Sequence, residues 1–167
     1  MLPDKALILA LATAVLASAA AQAEPPVTGP LLDKKAVTLE FAKKVAEAAE
    51  QKAAENSWPV AIAVVDEGGH LVYLARRDGT QYGSIDVAIR KAGTAAAFKR
   101  PTKVFEDAVA GGRTALLGLP GALPLEGGLP LWVDGKVIGA IGVSGATAQQ
   151  DGMVAKAGAD ACGCVPR

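Results

Sequence analysis

The spacing of small apolar residues predicts a helix at the start of the folded part of the chain. Apolar side chains recur there at intervals of three and four residues, which places them on one face of a helix. Thr38 is a suitable N-cap, and Glu40 lies favourably in the first turn. The helix should end near Asn56, before Trp58-Pro59. Its buried face would consist of Ala42, Val45, Ala46, Ala49 and Ala53.

A continuous apolar run followed by a glycine-rich turn predicts a β-hairpin. Residues 60–65 show no polar alternation, which is typical of a strand covered on both faces. Residues 66–69 supply the turn, and residues 70–76 return as the second strand. His70 would then share one face of that strand with Val72. The tip of this hairpin therefore holds the only histidine of the protein.

Two more helices and a second hairpin follow. Ser84 is expected to cap a helix over residues 85–98, and a shorter helix should span residues 102–110. Residues 118–128 form a loop dense in Gly and Pro. The segments 129–133 and 136–144 predict strands joined by Asp134-Gly135, a two-residue type I′ turn. Residues 147–150 form a capping box that opens a last helix.

These elements predict an α+β fold with α/β/α layers. The order is α-β-β-α-α-β-β-β-α, in which the strand before the second hairpin is a short additional one. Hairpins, rather than βαβ crossovers, favour an antiparallel sheet of about five strands with helices on both faces.

The N-terminus has the pattern of a secretory signal peptide. Lys5 precedes an apolar run over residues 6–21, and Ala21-Gln22-Ala23 is a small-x-small cleavage site. We therefore expect a signal peptide over residues 1–23 and a periplasmic or secreted protein. The remaining organisation would be a Pro-rich linker (24–36), a single domain (37–161) and a short tail (162–167).

Charge and composition exclude some partners. The chain carries 17 basic and 17 acidic residues. Cleavage of the signal peptide would remove one of each, Lys5 and Asp4. Such a balance gives no reason to expect nucleic acid, or a membrane after signal cleavage, as a partner. Aromatic residues make up only 4% of a chain that is 51% hydrophobic, so tight packing and burial between subunits are expected.

The only cysteines, Cys162 and Cys164, lie in a C-terminal CGC. In an oxidising compartment they could pair with each other or with a second copy. A bridge across one residue closes a strained ring and would be easily reduced. A frayed tail without function is the other interpretation.

Several segments together resemble the GlcG/HbpS family of haem-binding and cofactor-associated proteins. They are AIAVVDEGGHLVYLARRDG, SIDVAIRKAGTAAAF, GGLPLWVDGKVIGAIGVSG and the QQD of the last helix. A related domain forms the C-terminal part of PduO-type corrinoid proteins. The resemblance implies a five-stranded antiparallel sheet between helices and assembly into homo-oligomers. It also implies haem or iron binding in some members and haem degradation in others.

His70 is the candidate metal and cofactor ligand. It matches the histidine that follows the paired glycines of the family motif, and neutral imidazole is a good axial ligand for haem iron. A second histidine is absent from the chain, so bis-histidine ligation within one chain is excluded. The alternative is a hairpin-tip histidine that contacts only water.

A haem site also needs cations for its propionates, and guanidinium groups bind carboxylates through two hydrogen bonds. A salt bridge of Arg77 with Asp78 and a solvated Lys91 are the structural alternatives. Glu126-Gly127-Gly128 matches a family motif, and its glycines suit either a ligand or a subunit contact. The candidates for cofactor binding beside His70 are Arg77, Lys91, Arg113 and Glu126, with Arg76 and Lys103 as further cations.

Three functional hypotheses follow. The first is an exported haem- or tetrapyrrole-binding protein that acts as carrier, sensor or buffer. The second is an enzyme or enzyme accessory, acting on haem or a small organic acid in a polar pocket between subunits. The third is a purely structural oligomer.

Overall fold

A computed structural model of the chain describes residues 29–30 and 32–164. The predicted signal peptide, most of the linker and the last three residues of the tail lie outside the described residues. From Asp33 onward the chain forms one compact unit. Within the described part, no helix has the length and apolar character needed to cross a membrane.

The predicted helices and hairpins are present in the predicted order. The helices are α1 (Leu39–Glu55), α2 (Gly83–Phe98), α3 (Thr102–Ala110) and α4 (Ala148–Ala161), and a 3-10 turn spans Thr114–Gly118. The strands are β1 (Ala61–Asp66), β2 (Leu71–Arg76), β3 (Gly128–Val133) and β4 (Lys136–Ser144). Thr38 and Thr147 cap α1 and α4 as expected, the latter with a capping box.

One predicted cap is wrong. Ser84 lies inside the first turn of α2, which begins at Gly83 after Tyr82. Its side chain is buried and its hydroxyl accepts a hydrogen bond from the Gln81 side chain at 3.1 Å. The Ser84 hydroxyl therefore bonds to a neighbouring side chain and does not cap the helix.

The sheet has four antiparallel strands in the order β2-β1-β4-β3, where about five were expected. The segment before β3 stays irregular because Pro120 and Pro124 lack the N–H groups that a ladder needs. Thr94 of α2 holds this segment instead. Its hydroxyl accepts the N–H of Leu123 at 2.9 Å and lies 3.0 Å from the carbonyl oxygen of Gly121.

Each face of the sheet is covered by helices, which gives the predicted α/β/α layers. Ile62 and Val64 of β1 belong to the larger core cluster, with side chains of α1 and α4. Ala63 and Val65 face the other side, where they pack against α2. The continuous apolar run of β1 is explained by this double coverage.

Glycine in β4 allows α2 to lie close to the sheet. A Cβ atom on Gly142 would lie 2.5 Å from the backbone nitrogen of Ala92 and would also meet the carbonyl oxygen of Ala88. Ala88, Ala92, Ala95 and Ala96 of α2 are buried on this side of the helix. The small-residue face of α2 and the thin strand β4 therefore fit each other.

The CGC tail is an ordered helix cap. Gly163 has φ +64°, and its N–H donates to the carbonyl of Asp160 at 2.9 Å. The N–H of Cys164 donates to Ala159, also at 2.9 Å, which completes a Schellman motif at the end of α4. A disulfide joins Cys162 to Cys164, and the Cys164 side chain is buried in the larger core cluster. Residues 162–164 of the tail are therefore ordered rather than frayed.

We expect Gly142→Ala to lower the free energy of unfolding by about 1–3 kcal/mol, because the added methyl overpacks the contact of β4 with α2. Urea denaturation measures this loss. The matched control is Gly118→Ala, where an added Cβ meets nothing within 4 Å. Equal stability of the two variants would contradict the close packing of α2 on β4.

Candidate functional site

The hairpin tip that carries His70 is organised by one carboxylate. Oδ1 of Asp66 accepts hydrogen bonds from the backbone N–H groups of Gly68 and His70, each at 2.9 Å. Gly69 has φ +82°, a left-handed conformation that glycine adopts without strain. The strand β2 begins one residue later than predicted, so His70 belongs to the tip.

The imidazole of His70 folds back over Gly68 toward Asp66. Its Nδ1 lies 3.4 Å from Oδ1 of Asp66, an ion-pair distance rather than a good hydrogen bond. A Cβ on Gly68 would lie 2.8 Å from that nitrogen, so a larger residue there would displace the imidazole from this position. The side chain is 83% exposed, and Nε2 has no hydrogen-bond partner among the residues that the structure describes. The tip therefore presents an oriented imidazole to the solvent.

The hydrogen bonds at the tip also shift the titration of Asp66. The backbone N–H of His70, and after it that of Gly68, hold the pKa of the Asp66 carboxyl below its usual range. The carboxylate is thus charged at neutral pH, and it lies beside Nδ1 of His70.

The tip rests on α2, which brings a further cation beside it. A Cβ on Gly69 would lie 3.6 Å from Cα of Gly93 in the middle of that helix. Arg90 and Ala97 share the Gly93 face of α2 by helical spacing, and both are exposed. Sequence reasoning missed Arg90, because only the tertiary contact of Gly69 with Gly93 brings this face to the hairpin tip.

Lys91 lies in a different environment, as half of a buried ion pair. Its Nζ is 2.8 Å from Oδ2 of Asp151 and donates a second hydrogen bond to the carbonyl of Val143 at 2.9 Å. Both side chains are only 3% exposed. The pair joins α2, β4 and the first turn of α4.

Asp151 is held as a hydrogen-bond acceptor. Its Oδ1 accepts the N–H of Ala146 at 3.0 Å, while Oδ2 faces Lys91. Burial raises the pKa of Asp151, and the Lys91 ammonium and the backbone N–H groups of Ala146 and Gly145 oppose that shift. Because its contacts are donors, the geometry is that of an ionised pair.

Glu126 precedes β3 in the chain, and its side chain lies against the first turns of α4, near this pair. Its carboxyl packs over Gly152, where a Cβ would lie 3.0 Å from Cδ of Glu126. Burial raises the pKa of Glu126, and Lys103 opposes the shift. The backbone N–H of Glu126 donates to the carboxylate of Glu106.

The paired glycines after Glu126 serve contacts within the chain. A Cβ on Gly127 would lie 2.9 Å from Nζ of Lys91, and one on Gly128 would lie 2.6 Å from Cγ2 of Thr102. Both glycines are buried. Of the predicted residues, the structure thus gathers Lys91 and Glu126 in one place, with Lys103 close by.

The remaining predicted cations lie apart from His70. Arg77 follows the far end of β2, roughly 20 Å along the strand from the hairpin tip. Its guanidinium donates to the carbonyl of Glu50 in α1 at 3.2 Å, rather than to Asp78. Arg76 stacks on the ring of Tyr82 at 4.8 Å, and Arg113 is exposed after α3.

No group of three or more His, Cys, Asp or Glu side chains within the described ranges could hold a metal ion. His70 therefore offers a single ligand, with Asp66 behind it. This donor set fits the iron of a porphyrin, which already has four nitrogen ligands and takes one axial imidazole.

We expect the buried pair to dominate stability at this end of the sheet. Lys91→Met should lower the free energy of unfolding by about 3–5 kcal/mol, because Asp151 is left buried without its cation. The double variant Lys91→Met/Asp151→Leu should lose less than the sum of the two single variants. Denaturant unfolding of the four proteins measures this coupling.

The exposed pair Lys103–Asp107 is the matched control, since Lys103→Met should cost less than about 1 kcal/mol. Additive losses in the Lys91 and Asp151 cycle would contradict a direct interaction.

The pKa of Asp66 predicts a pH dependence of the hairpin tip. A carboxyl with a lowered pKa in the folded state stabilises the fold above its unfolded pKa, and this contribution is lost as the pH falls through the folded pKa. The advantage of the wild type over Asp66→Asn should therefore shrink below pH 3.8, the ordinary value of the group. Unfolding curves between pH 6 and 2 check this, and a constant difference would contradict it.

Comparison with known proteins relates this geometry to a family. The chain is 44% identical over 105 residues to Protein GlcG of Escherichia coli strain K12, which covers 63% of this chain and 78% of that protein. The structure of a Streptomyces reticuli HbpS double mutant is 37% identical, with a TM-score of 0.72, over 83% of this chain and 97% of that one.

A structure of a PduOC–haem complex also matches, at 28% identity and a TM-score of 0.69, over 76% of this chain and 95% of that chain. The profile of a family described as "haem degrading protein HbpS-like" matches residues 37–160, which span all four helices and all four strands except the last residue of α4. The chain belongs to the HbpS-like family.

Proposed function

We propose that this protein is an exported haem- or tetrapyrrole-binding protein of the GlcG/HbpS type that acts as a carrier, sensor or buffer. The observation that carries the proposal is the imidazole of His70, exposed at the hairpin tip with Asp66 beside its Nδ1. Membership of the HbpS-like family supports the choice of ligand.

The chemistry of the tip suits an axial ligand. A carboxylate beside one ring nitrogen of a ligating histidine fixes the tautomer and increases the basicity of the other nitrogen. The Oδ1 of Asp66 is tied to two backbone N–H groups and lies 3.4 Å from Nδ1 of His70, a distance that would have to shorten on ligand binding for this hydrogen bond to form. Nε2 is then the atom that would bind iron, and bound haem would supply the redox and ligand-binding chemistry of its iron.

Arg90 is the cation that we assign to a propionate. It is exposed on the α2 face that meets the hairpin tip, and the tip contact at Gly93 lies one helical turn away. Arg77 is engaged with Glu50, and Lys91 with Asp151. For Arg77 and Lys91, binding to a ligand would require the loss of these contacts.

A homo-oligomer is part of the proposal. With 83% of its side chain exposed, His70 has little protein around it within one chain, whereas a haem face needs an apolar cover. A second copy of the chain would supply that cover.

Export also belongs to the proposal and rests on the N-terminal sequence pattern. The CGC disulfide is consistent with it, since disulfides persist in oxidising compartments such as the periplasm.

Haem degradation is the second candidate function, and the description of the family favours it. An enzyme acting on a small organic acid has less support, because Asp66, Arg77, Lys91, Arg113 and Glu126 do not converge on one pocket within the described chain. A pocket between subunits would have to assemble them.

The test is a haemin titration of the purified protein, followed by absorption in the Soret region and by light scattering. We expect saturable binding by the wild type and at least a tenfold weaker affinity for His70→Ala, because the axial ligand is lost. Added imidazole should restore the Soret spectrum of this variant. An unchanged spectrum and affinity would remove His70 from the site.

Two arginine variants serve as a matched pair in the same titration. Arg90→Gln should weaken binding, whereas Arg113→Gln should not. Incubation of the complex with a reductant separates the two functions: an unchanged Soret band supports carriage, and loss of haem with release of iron supports degradation. A wild-type protein that binds no haemin would overturn the proposal.

A further inference from the structure

The C-terminal cap of α4 connects the helix to the sheet edge. Trp132 of β3 donates its backbone N–H to the carbonyl of Cys164 at 3.3 Å. Trp132 lies beside a register shift in the pairing of β3 with β4, on an edge strand. The tail thus accepts a hydrogen bond from a backbone N–H of the edge strand, which would otherwise be available to another strand.

The same residues border a shallow apolar groove of about 180 Å³. Trp132 and Cys164 line it, together with Lys156 and Asp160 of α4, which form an ion pair. The groove also includes Pro101, Leu129, Pro130 and Ala159. The position of Cys164 therefore influences both the edge of β3 and the groove.

The helix cap holds the backbone of the two cysteines in position. The two hydrogen bonds of the Schellman motif and the left-handed Gly163 fix the backbone between Cys162 and Cys164. The Cα atoms are 5.2 Å apart, within the usual range for disulfides. The folded domain is therefore a template on which the bridge can form.

We propose that Cys162 and Cys164 are an oxidation site that works as a redox-controlled clasp. In the oxidised state the bridge holds the α4 cap against β3. In the reduced state the cap opens more often, which frees the N–H of Trp132 and widens the groove. Both cysteines lie beyond residue 160, where the match to the family ends.

The proposed reaction is thiol–disulfide exchange with a low-molecular-weight disulfide as oxidant. The thiolate of Cys162, which is half-buried, attacks one sulfur of the oxidant and expels one thiolate. Cys164, which is 1% exposed, then attacks the Cys162 sulfur and expels the second. Two protons pass from the cysteine thiols to the two released thiolates, and two electrons reduce the oxidant. A small dithiol reverses both steps and leaves as a cyclic disulfide.

The bridge affects the cap through chain entropy. A disulfide restricts the open state of the segment that it closes, and this segment contains a glycine, the residue with the most backbone freedom. For so short a loop, we expect the amide exchange rates of Cys164 and Trp132 to rise about tenfold when the disulfide is reduced. The melting temperature should fall by roughly 3–6 °C.

The experiment compares the purified protein in oxidised and reduced dithiothreitol. Hydrogen exchange of the Trp132 and Cys164 amides reports opening of the cap, and the exchange of the buried β1 amides reports the accompanying loss of global stability. Mass spectrometry after alkylation counts free thiols. We expect none in the oxidised protein, and in the native reduced protein Cys162 should react before Cys164.

The control variant is Cys162→Ser, which removes the bridge and leaves the buried Cys164 in place. In either redox state its Trp132 amide should exchange as in the reduced wild type. The clasp would be overturned by equal Trp132 exchange in the two states of the wild type, by faster alkylation of Cys164, or by a bridge that forms only between two copies. These outcomes do not depend on haem, so they are distinct from a failure of the proposed function.

Discussion

The buried ion pair of Lys91 with Asp151 is the interaction on which the arrangement of the sheet and helices depends. It joins the helix on one face of the sheet to the first turn of the helix on the other. Because both groups are nearly excluded from water, each needs the other and its backbone partners, and their positions are strongly specified. The Lys91 contact to Val143 also connects the pair to β4.

The Glu-Gly-Gly motif is explained by the same pair. Gly127 has φ +124° and passes within contact distance of the Lys91 ammonium and the Asp151 side chain. Any larger residue would displace the ion pair from its backbone partners. A motif that would suit a ligand or a subunit contact is thus occupied by packing within the chain, and Glu126 is drawn into a half-buried position over α4.

The charged groups of the hairpin tip are exposed, unlike those of the buried pair. There the charges remain in solvent, and geometry is set by backbone hydrogen bonds to Asp66 and by the absence of a side chain at Gly68. Such a tip holds an imidazole in one orientation and leaves it accessible, which suits a ligand more than a structural contact. The domain therefore has a buried ion pair within its layers and an exposed imidazole at one end of its sheet.

The sequence by itself determined the helices, both hairpins, the α/β/α layers and the place of His70 on a turn, because hydrophobic period, caps and turn residues are local properties. Its resemblance to a family supplied the expected ligand. Only the tertiary structure decided that the strand expected before β3 does not form, that Lys91 is buried with Asp151, and that the hairpin tip meets α2 at Gly93. It also decided that CGC is a helix cap. These outcomes depend on contacts between residues that are distant in the sequence. Lys91, for example, would be a solvated cation if α4 did not place Asp151 against it.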